Sequence, residues 1–136
     1  DCSGTTQTAQ MVLTIACMPS PQFVDATKVS VVAEAPDFTT GAMGLVGDLT
    51  QWADGADIAM TKIGSSDCYC ALVEASDISN GGFKFRLDGT WDKVEKNDDC
   101  GERDNRTAAS AAASDTVSVV IAEWRNSDQF GGGCGN

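Results

Sequence analysis

Apolar residues along this chain fall in short runs separated by Pro, Gly, Asp and Asn, a spacing that suits strands better than helices. A polar start, residues 1–10, leads into residues 11–18 (MVLTIACM), which are β-prone and stopped by Pro19 and Pro21. Residues 28–35 (KVSVVAEA) read as a strand ended by Pro36. Residues 41–48 (GAMGLVGD) form another apolar segment, followed by the turn-rich stretch that carries Trp52. Residues 58–63 are brief and alternating. Residues 69–74 (YCALVE) and 83–87 (FKFRL) alternate cleanly, as half-buried strands do. Asp88-Gly89 turns the chain toward Trp91, and an acidic loop runs over residues 92–104. Residues 117–124 (VSVVIAEW) read as a last strand, and residues 130–136 are glycine-rich. The patch 107–116 (TAASAAASDT) lacks an apolar stripe and is expected as a loop.

Short strands at roughly 8–12-residue spacing, with turn signals between them, predict an antiparallel sandwich or barrel. No sequence repeat and no interdomain linker breaks the chain. The expected organisation is an N-terminal extension with one extra strand (residues 1–27), a β-domain (28–125) and a Gly-rich tail (126–136).

Charge narrows the partners. The 136 residues carry 20 acidic and 9 basic side chains, a net charge of -11. Such a field repels nucleic acid and anionic membrane surfaces. The chain has no histidine, so Ser-His-Asp and Cys-His machinery and His-ligated metals are excluded. Paired carboxylates remain possible for glycoside hydrolysis, but no motif favours any pair, and no catalytic residue is assigned. The 11–18 run is too short to span a bilayer, so no membrane insertion is expected. A start at Asp1 is what removal of a signal peptide would leave.

Cys2, Cys17, Cys68, Cys70, Cys100 and Cys134 include no C-x-x-C pair. An even number at wide spacing predicts up to three disulfides and an extracellular location. Cys68 and Cys70 flank Tyr69 in a predicted strand, so their side chains share a face and bond different partners. Cys100 is a candidate partner for one of them, and Cys2–Cys134 a candidate tie between the termini.

The tryptophans divide into two kinds. Trp124 ends an apolar run and is expected in the core. Trp52 (GDLTQWADG) and Trp91 (LDGTWDK) sit in loops rich in Asp and Gly. A sugar ring is bound by stacking its apolar face on an aromatic plane and hydrogen-bonding its edge. Asp54, Lys93 and Asn97 lie near enough in sequence to supply such bonds. The competing reading makes each loop tryptophan a lid over the end of the sandwich. Asn97, Asp98, Asp99, Glu102 and Asp104 offer oxygens for calcium, which takes about six to eight. Their spacing is not that of an EF-hand, and solvated charge is the commoner outcome for residues 97–104; no cofactor is assigned. Asn105-Arg106-Thr107 is an N-glycosylation triplet.

In order, KVSVVAEA, GLVGDLTQW, Met60, YCALVEAS, FKFRLDGTWD, DNR (104–106) and VSVVIAEWR resemble the starch-binding domains of amylases and glucoamylases. The same run, over residues 28–125, is similar to the related modules of pullulanases and of outer-surface starch-uptake lipoproteins. The resemblance implies an all-β, immunoglobulin-like β-sandwich of about seven or eight short strands, here disulfide-stabilised. It also implies a secreted, non-catalytic module that binds α-glucan. Trp52 and Trp91 fall where the family places the two tryptophans of its main glucan surface, and Trp124 falls on a structural one. Asn105 and Arg106 match its Asn-Arg pair, although residues 92–104 intervene where the family has only a few. Asp92 and Lys93 lie near the expected site. The family's second, tyrosine-built site has no counterpart, since Tyr69 is the only tyrosine.

Residues 1–27 and 126–136 lie outside the resemblance, and both contain cysteines. The 11–18 segment either adds a strand to its own domain or completes the sheet of a neighbouring copy. The second option makes the chain a subunit of an extracellular filament, with copies of itself as partners.

Overall fold

The computed structural model describes residues 27–113 and 115–135. Among them, ten short strands form two four-stranded sheets and a two-stranded ribbon. In the first sheet β1 (Lys28–Glu34) is central. It pairs antiparallel with β5 (Cys68–Glu74) and parallel with β9 (Thr116–Val120), and β4 (Thr61–Lys62) lies beyond β5. In the second, β2 (Met43–Gly47) and β6 (Gly82–Leu87) pair antiparallel, flanked by β3 (Ile58–Ala59) and β8 (Arg106–Thr107). The ribbon joins β7 (Glu95–Lys96) to β10 (Glu123–Trp124). The β1–β9 pair departs from the expected all-antiparallel pairing.

Period-two alternation decides which side chains enter the core. Val29, Val31 and Ala33 of β1 with Tyr69, Ala71 and Val73 of β5 meet Met43, Leu45, Phe83, Phe85 and Leu87 of the facing sheet. The result is an all-β sandwich. Trp124 is fully buried in this layer, and its indole N–H satisfies itself on Thr39 Oγ1 at 2.8 Å. A single helical turn, α1 (Ala75–Ile78), follows β5 and inserts Ile78 into the core.

Two expected strands are each divided between layers. Within residues 58–63, β3 and β4 belong to opposite sheets. Met60 between them is buried and donates its backbone N–H to Met43 O at 2.9 Å. Residues 117–124 also split. Ile121 donates to Glu34 O at 2.8 Å and enters the core, and the chain then crosses to pair as β10. A short alternating run looks the same whether or not it changes sheets, so the pattern alone could not show either crossing.

Cys68 and Cys70 do share a face. They lie opposite the main core with Val32 and Ile63, and both are disulfide-bonded. The proposed pairings of Cys100 with one of these two, and of Cys134 with Cys2, are corrected: Cys100 bonds Cys134. The acidic insertion and the glycine-rich tail are therefore fastened to each other. The expected extra strand at 11–18, Cys2 and Cys17 lie outside the described residues. No helix among the described residues is long and apolar enough to cross a membrane.

Candidate functional site

Phe83 and Phe85 point inward from β6, so Lys84 and Arg86 point outward. Opposite them on β2 are Val46 and Gly44. Arg86 and Val46 are nevertheless fully buried. This outer face is covered, and the covering includes a loop tryptophan: the Arg86 guanidinium lies 4.6 Å from the centroid of the Trp91 ring.

The turn that delivers Trp91 is closely specified. Asp88 and Gly89 both take positive φ (56° and 66°), as the central residues of a type I′ turn do, and the Thr90 N–H closes it on Leu87 O at 3.2 Å. Beyond it Arg86 bridges to Val94. Thr90 caps the 3-10 turn Trp91–Lys93, its hydroxyl accepting the Asp92 N–H at 3.1 Å. Two side chains from the far end of the chain brace the same turn. Arg125 donates to Trp91 O at 3.1 Å, and Asn126 donates to Asp92 O at 2.9 Å.

Trp52 reaches the same place from the loop after β2. Gln51 and Trp52 take left-handed backbone conformations (φ 57° and 55°), which cost roughly 1–2 kcal/mol per non-glycine residue. The conformation is held by the Trp52 N–H on Gly47 O at 2.9 Å. The indole N–H donates to Asp48 Oδ1 at 2.9 Å, while Asp48 Oδ2 accepts the Gly82 N–H at 2.8 Å. These two donors hold the Asp48 carboxyl below the usual aspartate range. The Trp52 and Trp91 centroids are 6.0 Å apart, with planes inclined by 29°. Trp52 is half-buried and Trp91 is 37% exposed.

Arg86 is met from below by Asp57, which receives its Nε at 2.7 Å and its Nη2 at 2.5 Å. Asp54 stands 3.7 Å from Nη1. Asp57 gets across the sheet because Gly44 lacks a side chain; a Cβ at 44 would lie 2.8 Å from Asp57 Cβ.

The other sequence-nominated residues divide. Lys93 is half-buried and donates to Asp88 Oδ2 at 3.1 Å, with the Phe130 ring 5.7 Å from its ammonium. The Ala42 N–H on the same carboxylate, and after it the Lys93 bond, lower the Asp88 pKa. Asn105 is exposed and packs over Gly82, beside the Asp48 corner that anchors Trp52; a Cβ at 82 would lie 2.7 Å from Asn105 Cβ. Arg106 turns inward, donating Nη2 to Glu95 Oε1 at 2.8 Å beneath β8. Asn97 bonds within its own loop, donating to Glu102 O at 2.9 Å.

The 92–104 stretch keeps Asp92, Asp98, Asp99, Glu102 and Asp104 exposed, as solvated charge, but buries two of its charged side chains. Glu95 is fully buried and Lys96 nearly so. Glu102 is ion-paired with Lys96 and Arg125, and those partners keep its pKa low. Asp99 is bonded to the Gly101 N–H. Among the described residues no group of three or more His, Cys, Asp or Glu is placed to hold a metal ion, so the calcium reading of residues 97–104 gains no support.

Asp48, Asp57, Arg86 and Gly44 carry much of this geometry and were not singled out from the sequence. The outward position of Arg86 was readable from FKFRL, but nothing in the local pattern announced that Trp91 would fold over it.

No protein-family model matches the chain, and no curated protein matches it. Among solved structures it is similar to the Glycoside Hydrolase Family 15 Glucoamylase from Hypocrea jecorina, at 16% identity and a TM-score of 0.49 over 79% of this chain. The chain spans 18% of the length of that protein.

Proposed function

We propose that this chain is a secreted, non-catalytic carbohydrate-binding module that stacks a starch-like α-glucan on Trp52 and Trp91. The observation that carries the reading is the tryptophan pair itself. Two partly exposed indoles from separate loops stand 6.0 Å apart and are both anchored by polar partners. Such anchoring lowers the ordering cost of binding. Asn105, at the Asp48 corner, supplies an exposed amide for hydroxyl groups. A net charge of -11 places no obstacle before an uncharged ligand.

Carboxylates around the pair act as anchors. Asp48 serves Trp52 and Gly82, Asp57 serves Arg86, and Asp88 serves Ala42 and Lys93. These partners hold Asp48 and Asp88 below the normal range. The disulfides support a secreted protein.

Titration with maltoheptaose and with cellohexaose, followed by tryptophan fluorescence, tests the proposal. Quenching by the first and not the second is expected, and Trp52→Ala or Trp91→Ala abolishes it while leaving the fold intact. No response to maltoheptaose, or unfolding of both variants, would overturn it.

A further inference from the structure

An arginine with no exposed surface on the outward face of a sheet calls for an explanation. For stability alone a methionine or leucine would serve, because taking a guanidinium out of water costs several kcal/mol before its partners offset it. Arg86 has its partners assembled from three separate segments. Asp57 takes its fork bidentately, Gly44 opposite it leaves the space that Asp57 occupies, and Trp91 lies on the guanidinium at 4.6 Å. A planar guanidinium fixed in angle offers a flat, charged surface for an indole face. A flexible aliphatic chain in its place fills volume without setting the orientation of the ring.

The geometry points to Arg86 and Asp57 as a positioning pair that sets the plane of Trp91, and with it the angle of the two-ring platform, for a stacked sugar. This rests on the glucan-binding reading above. Arg86 touches no ligand in this role; it acts through the ring. The backbone bonds to Trp91 O and Asp92 place the turn, whereas the cation beneath places the side chain.

The test is the double variant Arg86→Met with Asp57→Ala, which removes both charges together. Replacing a buried ion pair by apolar groups is often neutral or stabilising, so the thermal midpoint is expected to stay or rise. The far-UV exciton couplet of the unliganded tryptophan pair should fall by about half or more, and maltoheptaose affinity by about tenfold, the scale of one desolvated cation–π contact. Arg86→Lys, which keeps the charge but loses the fork, should give an intermediate loss of both, and it serves if the double variant does not fold. A folded variant with the wild-type exciton signal overturns the positioning role, whether or not the protein binds glucan. An exciton change on substitution in a protein whose wild type binds no maltoheptaose overturns the functional reading instead.

Discussion

Arg86 and Arg106 are both withdrawn from water, and each donates two nitrogens to a carboxylate and faces one aromatic ring. Arg106 donates to Glu95, fully buried, and lies 5.8 Å from the core ring of Phe85. Arg86 donates to Asp57 and lies 4.6 Å from Trp91, a ring that remains 37% exposed. The inner assembly also takes the Phe85 N–H on Glu95 Oε2 at 3.0 Å and sends Arg106 Nη2 to Val120 O at 2.9 Å. It therefore joins β6, β7, β8 and β9. The outer assembly joins β2, the loop before β3 and β6, and its aromatic partner faces solvent. The same three groups close a core in one place and carry a partly exposed ring in the other; what differs is how much of the ring water reaches.

That contrast can be broken first at Glu95. Glu95→Ala leaves Arg106 buried without its carboxylate and should cost about 3–5 kcal/mol in urea unfolding. Asp57→Ala should cost distinctly less, because Asp54 stands 3.7 Å from Arg86 and remains. Equal losses would erase the distinction between the two arginines.

The tryptophans give a second, similar contrast. Trp124→Ala should remove about 3–5 kcal/mol as a core cavity. Trp91→Ala should stay within about 1 kcal/mol by the same unfolding measurement while removing maltoheptaose quenching. A Trp91 variant as unstable as the Trp124 variant would make the ring a lid.

Next in size is the Cys100–Cys134 link. Replacing both cysteines by serine should lower stability by about 2–4 kcal/mol. Because the segment leading into the tail holds Arg125 and Asn126 against the Trp91 turn, hydrogen exchange at residues 91–93 should rise. Unchanged exchange there would show that the tail does not brace the turn.

The smallest effect is acidic. The Trp52 and Gly82 donors favour the charged form of Asp48, so its contribution is present in full above the ordinary value of 3.8 and is lost as pH falls through the lower folded value. Tryptophan emission should be flat from about pH 8 to 5 and change only below about pH 3.8. In Asp48→Asn the acid step should disappear; a step at pH 5–6 would point to a different group.

Much of the fold was legible because its strands bury one face. The alternation in FKFRL and YCALVE placed Phe83, Phe85 and Tyr69 inward, as the core has them, and the core role of Trp124 followed from its apolar run. Glu95 was not legible. It sits among charges that look solvated, and its burial depends on Arg106, 11 residues further on. Asp57 was missed for the same reason, since its partner Arg86 is 29 residues away. The disulfide of Cys100 was misread because spacing cannot say which distant strand ends meet.

The sequence by itself determined a histidine-free, acidic, disulfide-bearing β-domain with two tryptophans in polar loops and one in an apolar strand. Those properties are local: residue type, alternation and turn chemistry decide them within a few positions. The tertiary structure alone decided that the two loops meet, that an arginine lies beneath one ring, and that the acidic insertion is bound to the tail. Each of those requires groups far apart in the chain to come within a few ångströms, and that proximity is created by packing two sheets together, which no local pattern contains.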